Sequence, residues 1–213
     1  MSLTKKLANK ISSKLGYDEE KSNVIAYGLF AVMQIIASLF LVAVFGAVLG
    51  ILVQALVFSF VASILRQYSG GAHASDPGIC LIVGTAATVG LTYLAHILIP
   101  ILNDGAILAL QAAIMLYSYY IIVKKAPVDS AAKPIKTEKK KNKMKNLSIF
   151  VLSFYLLVII IFIVVYLKQR QIVLLEYSVC ICFAVFWQSF NLTKVGHKAL
   201  SKLDSFLKII LKK

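Results

Sequence analysis

The sequence predicts an all-α membrane protein with six transmembrane helices and an amphipathic interfacial helix at each end. Three observations predict it. Hydrophobic residues make up 60% of the 213 and charged residues only 15%, less charge than a soluble domain of this size carries. Several uncharged stretches reach the ~20 residues that cross a ~30 Å hydrocarbon core as a helix. The alternation of polar and apolar side chains over about ten residues that marks a membrane β-barrel is absent.

The elements follow in chain order. Over residues 1–21, Leu3, Leu7, Ile11 and Leu15 recur at helical spacing beside Lys5, Lys6, Lys10 and Lys14. That pattern suits a helix lying in the membrane interface. It lacks the uninterrupted apolar core of a signal peptide and carries charge throughout. Asp18, Glu19 and Glu20 then fall in the first turn of the next helix, where they complement its positive end.

Ser22 to Leu65 contains no charged residue and is too long for one span. Gly46 and Gly50 divide it into 23–45 and 50–65, a hairpin of two helices. The same Gly-x-x-x-Gly spacing also serves close helix packing, but two spans need a turn, so a turn is expected. Ile79–Ile99 is the third span. Pro100, Asn103, Asp104 and Gly105 supply turn residues, and Ala106–Val123 is the fourth span. A lysine-rich linker follows at 124–146. Leu147–Leu167 and Ile172–Phe190 are the fifth and sixth, joined by a turn at 168–171. Residues 192–213 are again amphipathic and lysine-rich. The whole is read as one integral-membrane domain with a six-helix core over 23–190.

The net charge of +14 would suggest nucleic acid in a soluble protein. Here the lysines sit in tails and loops beside the spans, where they face anionic lipid headgroups. No basic groove interleaved with aromatics appears, so nucleic acid is not an expected partner. All the lysines and arginines except Lys168 and Arg170 lie in the N-terminus, the 66–78 loop, the 124–146 linker or the C-terminus. That bias places both termini and the 66–78 loop on the cytoplasmic side of a multi-pass cell-membrane protein.

One polar stretch, Arg66 to Cys80, breaks the apolar run. Ser75 or Asp76 can cap the third span, and Pro77 suits its first helical position. Cys80 then falls in or beside the first turn, where the helix N-terminus favours a thiolate. His73 precedes it by seven residues, and the Pro77–Gly78 interruption lets the chain fold back to bring imidazole to sulfur. Histidine beside cysteine can take the thiol proton and later protonate a leaving amine. Gly70 and Gly71 can aim backbone N–H groups at an oxyanion, and Arg66 can hold a substrate carboxylate. Asp76 or Asp129 can orient His73 as the third member of a triad.

Each of these residues also has a plain structural role. A cysteine that starts a membrane helix packs as a small hydrophobe, Arg66 anchors at the interface and Asp76 caps. Cys180 and Cys182, inside an apolar helix, read as packing residues, as does His96 in the third span. Three cysteines so placed form no disulfide framework. No further ligands stand close enough to His73 and Cys80 for a zinc site, and no metal or other cofactor is expected.

The segment R-x3-GG-x-H-x6-C, here Arg66, Gly70, Gly71, His73 and Cys80, resembles the AgrB (accessory gene regulator B) family. A second element matches after the fourth span: Ala126-Pro127-Val128-Asp129, followed by Lys133-Pro134-Ile135. Together they cover a resemblance over roughly 20–190. The resemblance implies a membrane cysteine endopeptidase of Gram-positive quorum sensing. Such a protein removes the C-terminal tail of a small AgrD-like precursor peptide and cyclises the remainder to an autoinducing (thio)lactone. Carried over by residue, Cys80 is the nucleophile and His73 the general base and acid. The family pattern gives no dedicated role to Asp76. It further implies a homodimer in lipid, and precursors with an amphipathic leader and an acidic tail. The rival expectation is a non-enzymatic transporter or exporter of a small peptide, which six spans fit equally well. A lipid-biosynthetic enzyme is disfavoured, because no carboxylate cluster for a metal and phosphate is present.

Overall fold

The computed structural model describes residues 3–71, 76–129 and 137–211. Among them are eight helices: α1 Leu3–Leu15, α2 Glu19–Val48, α3 Leu52–Ser69, α4 Pro77–Ile101, α5 Asp104–Lys125, α6 Glu138–Gln169, α7 Ile172–Phe190 and α8 Lys194–Leu211. Six of them, α2 to α7, are long and apolar enough to cross a membrane. The chain forms two compact units, 1–41 and 42–213.

In the first unit, α1 ends at Gly16, whose φ of 64° lets the Tyr17 N–H reach back to the Ser12 carbonyl at 3.0 Å. Asp18 then accepts the Lys21 N–H at 2.9 Å, as a residue that starts a helix does. The Ser22 hydroxyl donates to Asn9 at 2.9 Å. Leu7, Ile11 and Leu15 stay exposed, which leaves the predicted apolar stripe open along α1.

The second unit begins with the turn expected between the first two spans. Gly50 has φ 71°. Its N–H bonds the Ala47 carbonyl, and the Ile51 N–H bonds that of Gly46. This is the Schellman arrangement that ends a helix at a left-handed glycine. Gly46 serves the tightness of this turn as well, since a Cβ there would stand 3.1 Å from the Leu52 Cα. The turn reading of the Gly-x-x-x-Gly spacing is the one observed.

Two boundaries differ from expectation. Pro100 stays inside α4. Proline removes an N–H and crowds the carbonyl of the preceding turn, yet is tolerated in membrane helices where neighbouring groups satisfy the freed carbonyl. The chain turns at Leu102–Asn103 instead, where Asn103 accepts the Ala106 N–H at 2.8 Å. The lysine-rich linker is also shorter than 124–146, because α5 runs on through Lys125 and α6 starts at Glu138. Lysine is a good helix former, Thr137 supplies a cap and Glu138 favours the positive helix end. At 32 residues, α6 is about 48 Å long, so its lysine-bearing turns extend past a ~30 Å hydrocarbon layer.

The core is built around α7, which packs against α3, α4, α5 and α6. Every residue from Ser178 to Val185 is buried, as a helix apolar on all sides requires. Apolar contact alone discriminates poorly in lipid, where the surrounding chains are equally apolar. Polar pins therefore fix the packing. Toward the start of α7, Glu176 accepts the Gln54 amide of α3 at 2.8 Å and meets His96 Nδ1 of α4 at 3.2 Å. Glu176 thus has two side-chain partners on neighbouring helices. At the same end Asp104 accepts Tyr166 at 2.9 Å and pairs with Arg170.

The Glu176 pin predicts a coupling energy. Gln54→Leu and Glu176→Leu should each lower the thermal midpoint in detergent. The double variant should lose less than the sum, by about 0.5–1.5 kcal/mol. Strictly additive losses would mean that the two side chains do not stabilise each other.

Candidate active site

The start of α4 is set by local chemistry. Asp76 adopts extended backbone, and its carboxylate accepts the N–H groups of Gly78 at 2.7 Å and Ile79 at 3.2 Å. Pro77 takes the first helical position, where its missing N–H costs nothing. Of the two roles considered for Asp76, the geometry shows capping. The Cys80 N–H bonds the Asp76 carbonyl at 3.0 Å, so the cysteine sits in the first turn. Its thiol is free and half-buried, whereas Cys180 and Cys182 are free but buried in α7.

Arg66, half-buried in the last turn of α3, lies within electrostatic reach of the Cys80 sulfur. The packing of α3 on α4 brings the two together across fourteen positions of sequence. His73, with Ala72, Ala74 and Ser75, lies outside the described residues, and so does Lys133-Pro134-Ile135.

The two glycines are placed by close backbone approach. Gly70 has φ 69° and ψ −149°, a conformation that is essentially restricted to glycine. It forms a parallel bridge with Val128, and the Val128 N–H donates to the Ser69 carbonyl at 2.9 Å. A Cβ on Gly70 would come within 2.0 Å of the Val128 oxygen. The Gly70 N–H itself bonds the Arg66 carbonyl at 3.0 Å, so this amide completes α3 and is not directed at an oxyanion. Gly71, at φ 135°, lies against Gln188, Asn191 and Leu192.

Gln188 was not among the expected site residues. It is buried in α7, and its amide nitrogen donates to the Ser69 hydroxyl at 2.9 Å and the Gly70 carbonyl at 2.7 Å. Ser69 in turn donates to the Leu65 carbonyl at 2.8 Å. A lone long amide within an otherwise apolar span was the available signal. Together these bonds tie the Ser69–Gly71 elbow to both the 126–129 element and the end of α7. The same pairing carries Asp129, exposed and engaged in an interaction of its own, to the glycine elbow. The two sequence elements, about sixty residues apart, therefore lie side by side. Among the described residues no group of three or more His, Cys, Asp or Glu side chains could hold a metal.

A six-span α-helical membrane protein with a half-buried cysteine in the first turn of a span is the class so defined. A family model described as accessory gene regulator B matches residues 4–192. Two proteins of Clostridium perfringens are each 36% identical over 98% of both chains. One, from strain 13 (Type A), carries the name AgrB-like protein 2, and the other, from strain SM101 (Type A), the name AgrB-like protein. No solved structure matches. The chain belongs to the AgrB family, which is associated with autoinducer-peptide processing in quorum sensing.

Burial predicts that N-ethylmaleimide labels Cys80 in the folded protein well before Cys180 or Cys182, as mass spectrometry of the labelled peptides would read. Faster labelling of either α7 cysteine would contradict the packing. Gly70→Ala should be more damaging than a helix-surface glycine change. Its conformational cost of about 1–3 kcal/mol adds to the clash with Val128, and the thermal midpoint should fall by several degrees. An unchanged midpoint would show that the elbow is not fixed by that approach.

Proposed function

We propose that this protein is a membrane cysteine endopeptidase that cuts an AgrD-like precursor and cyclises the part it retains. Cys80 carries the reading. It is the one cysteine of the three that is not buried. It stands in the first turn of a helix, at positive partial charge, and Arg66 is in electrostatic reach. In the mechanism, the Cys80 thiolate attacks the carbonyl carbon of the scissile peptide bond. His73, the residue that the family pattern pairs with it, takes the thiol proton and gives it to the leaving amine. The C–N bond breaks, the tail departs, and the retained peptide stays as an acyl thioester on Cys80. A nucleophilic side chain within that peptide, a thiol in the simplest case, then attacks the thioester and loses its proton to His73. The ring closes as a thiolactone, and Cys80 leaves as thiolate. One thioester replaces another, so little bond energy is lost, provided water is kept from the acyl-enzyme.

The charge bias supports a cytoplasmic site and cytoplasmic termini. The exposed apolar stripes of α1 and α8 (Leu7 and Ile11; Leu203, Phe206 and Ile210) suit helices resting on lipid. The lysines at 139, 140, 141, 143 and 145, all on the first turns of α6, form a basic arm that attracts an acidic precursor tail. A homodimer is the assembly that the family resemblance suggests.

Two outcomes are expected from protein in lipid nanodiscs with a precursor peptide. Cys80→Ala and His73→Ala should each abolish cleavage while membrane insertion is retained. Wild-type rates in Cys80→Ala would remove the nucleophile assignment. Changing the five α6 lysines to glutamine should raise KM about tenfold or more at low salt, with kcat little changed, since each basic residue near a charged surface contributes about 1 kcal/mol. An unaltered KM would sink the basic-arm role.

A further inference from the structure

Gln188 is the only amide side chain of α7, and it is buried. A buried amide is costly unless its donors find acceptors, and leucine would serve packing alone. The amide nitrogen carries two N–H groups. It donates to two acceptors at one end of α3, the Ser69 hydroxyl and the Gly70 carbonyl. A Cβ on Gly71 would stand 3.4 Å from the same nitrogen.

Those acceptors close the last turn of α3. A helix end leaves its final carbonyls without partners inside the helix. Here the Leu65 carbonyl takes the Ser69 hydroxyl. The Arg66 carbonyl takes the Gly70 N–H, and the Ser69 carbonyl takes the Val128 N–H. Gln188 supplies the partner of the Gly70 carbonyl, and it aims the Ser69 hydroxyl by donating to its oxygen. Arg66 belongs to this turn. It is half-buried and within electrostatic reach of the Cys80 sulfur. A guanidinium near a cysteine favours the thiolate, and the attraction falls as the two groups separate. A frayed last turn would let Arg66 drift.

We propose that Gln188 is a positioning residue of the Cys80 site: it locks the last turn of α3 and so keeps the Arg66 guanidinium within reach of the reacting sulfur. The inference rests on the peptidase reading above and deepens it. In that chemistry the sulfur is anionic twice, as it attacks the peptide and as it leaves when the ring closes. Arg66 supports both moments, and Gln188 acts through Arg66, not on the substrate.

The test uses the full-length protein in phosphatidylcholine nanodiscs and two methanethiosulfonates of similar size. One bears a sulfonate, the other a trimethylammonium group. Mass spectrometry of the Cys80 peptide gives the rate of each. The anionic-to-cationic rate ratio reads the charge near the sulfur, and a change in thiol reactivity or access alone cancels from it. Arg66→Gln should lower the ratio about fivefold or more, since a unit charge a few ångströms away acts on the two reagents with opposite sign. Gln188→Leu should produce most of that fall, and should add nothing in the Arg66→Gln background. Gln54→Leu loosens the other end of α7 and should leave the ratio within about twofold of wild type, as a distant site does. Ser69→Ala removes one of the two acceptors. It should give a smaller fall, and it carries the test where Gln188→Leu does not insert. A ratio unmoved by Gln188→Leu overturns the proposal, and so does one unmoved by Arg66→Gln. An equal fall in Gln54→Leu, or a double variant well below Arg66→Gln alone, overturns it too. Precursor cleavage by Cys80→Ala is measured alongside. Cleavage lost there with a ratio unmoved by Gln188→Leu defeats the positioning role alone. Cleavage kept there defeats the peptidase reading, whatever the ratios show.

Discussion

The approach of the Gly70 backbone to that of Val128 is the constraint on which the rest of the site depends. Two chain segments without side-chain bulk between them meet as a single parallel bridge, and a Cβ would not fit. Such contact is weak by itself, because one bridge is far from a sheet. Gln188 makes it durable by binding both the Ser69 hydroxyl and the Gly70 carbonyl from inside the bundle. Buried donors and acceptors are costly when left open, so each partner here is held by the others. The elbow fixes where α3 ends.

The same logic governs the opposite end of α7. Glu176 meets Gln54 and His96, and Asp104 meets Tyr166 and Arg170. An ionisable group in a span is tolerated when paired within the bundle. Between the two ends α7 is apolar and buried, with Cys180 and Cys182 as packing side chains. Polar pins at both ends and tight apolar packing between them set how α7 lies against its four neighbours. The Cys80 thiol sits half-buried in the first turn of α4, outside that packed stretch of α7.

Much of this was legible in the residues. The turn at Gly50, the Asp76–Pro77 start of α4 and the limits of α7 at Ile172 and Phe190 are local, and local chemistry reveals them. The misread boundaries were local choices with two answers. Proline punctuates a helix in most settings, yet at Pro100 it stays within a membrane-length helix, where it is tolerated. A lysine run reads as a linker, yet lysine forms helix well when a cap precedes it. The site divided in the same way. Cys80 stood out by its position in a helix start. Gly70 stood out too, but as an oxyanion donor, since nothing in the stretch itself shows that a carbonyl sixty residues later will occupy the space beside it.

By itself, then, the sequence determined the class of protein and the number of helices long and apolar enough to span a membrane. Hydropathy, caps and charge bias act over a few residues and need no partner to be read. Tertiary structure alone decided that the 66–71 and 126–129 elements lie side by side, that Gln188 holds the elbow, and that Arg66 comes within electrostatic reach of the Cys80 sulfur. It also decided that Phe186, Trp187 and Phe190 of α7 stand across an apolar groove from Ala86, Ala87 and Gly90 of α4. Those facts depend on which helices lie side by side and at what rotation. In lipid that choice rests on close fit and a few buried polar bonds, and neither leaves a periodic mark in the chain.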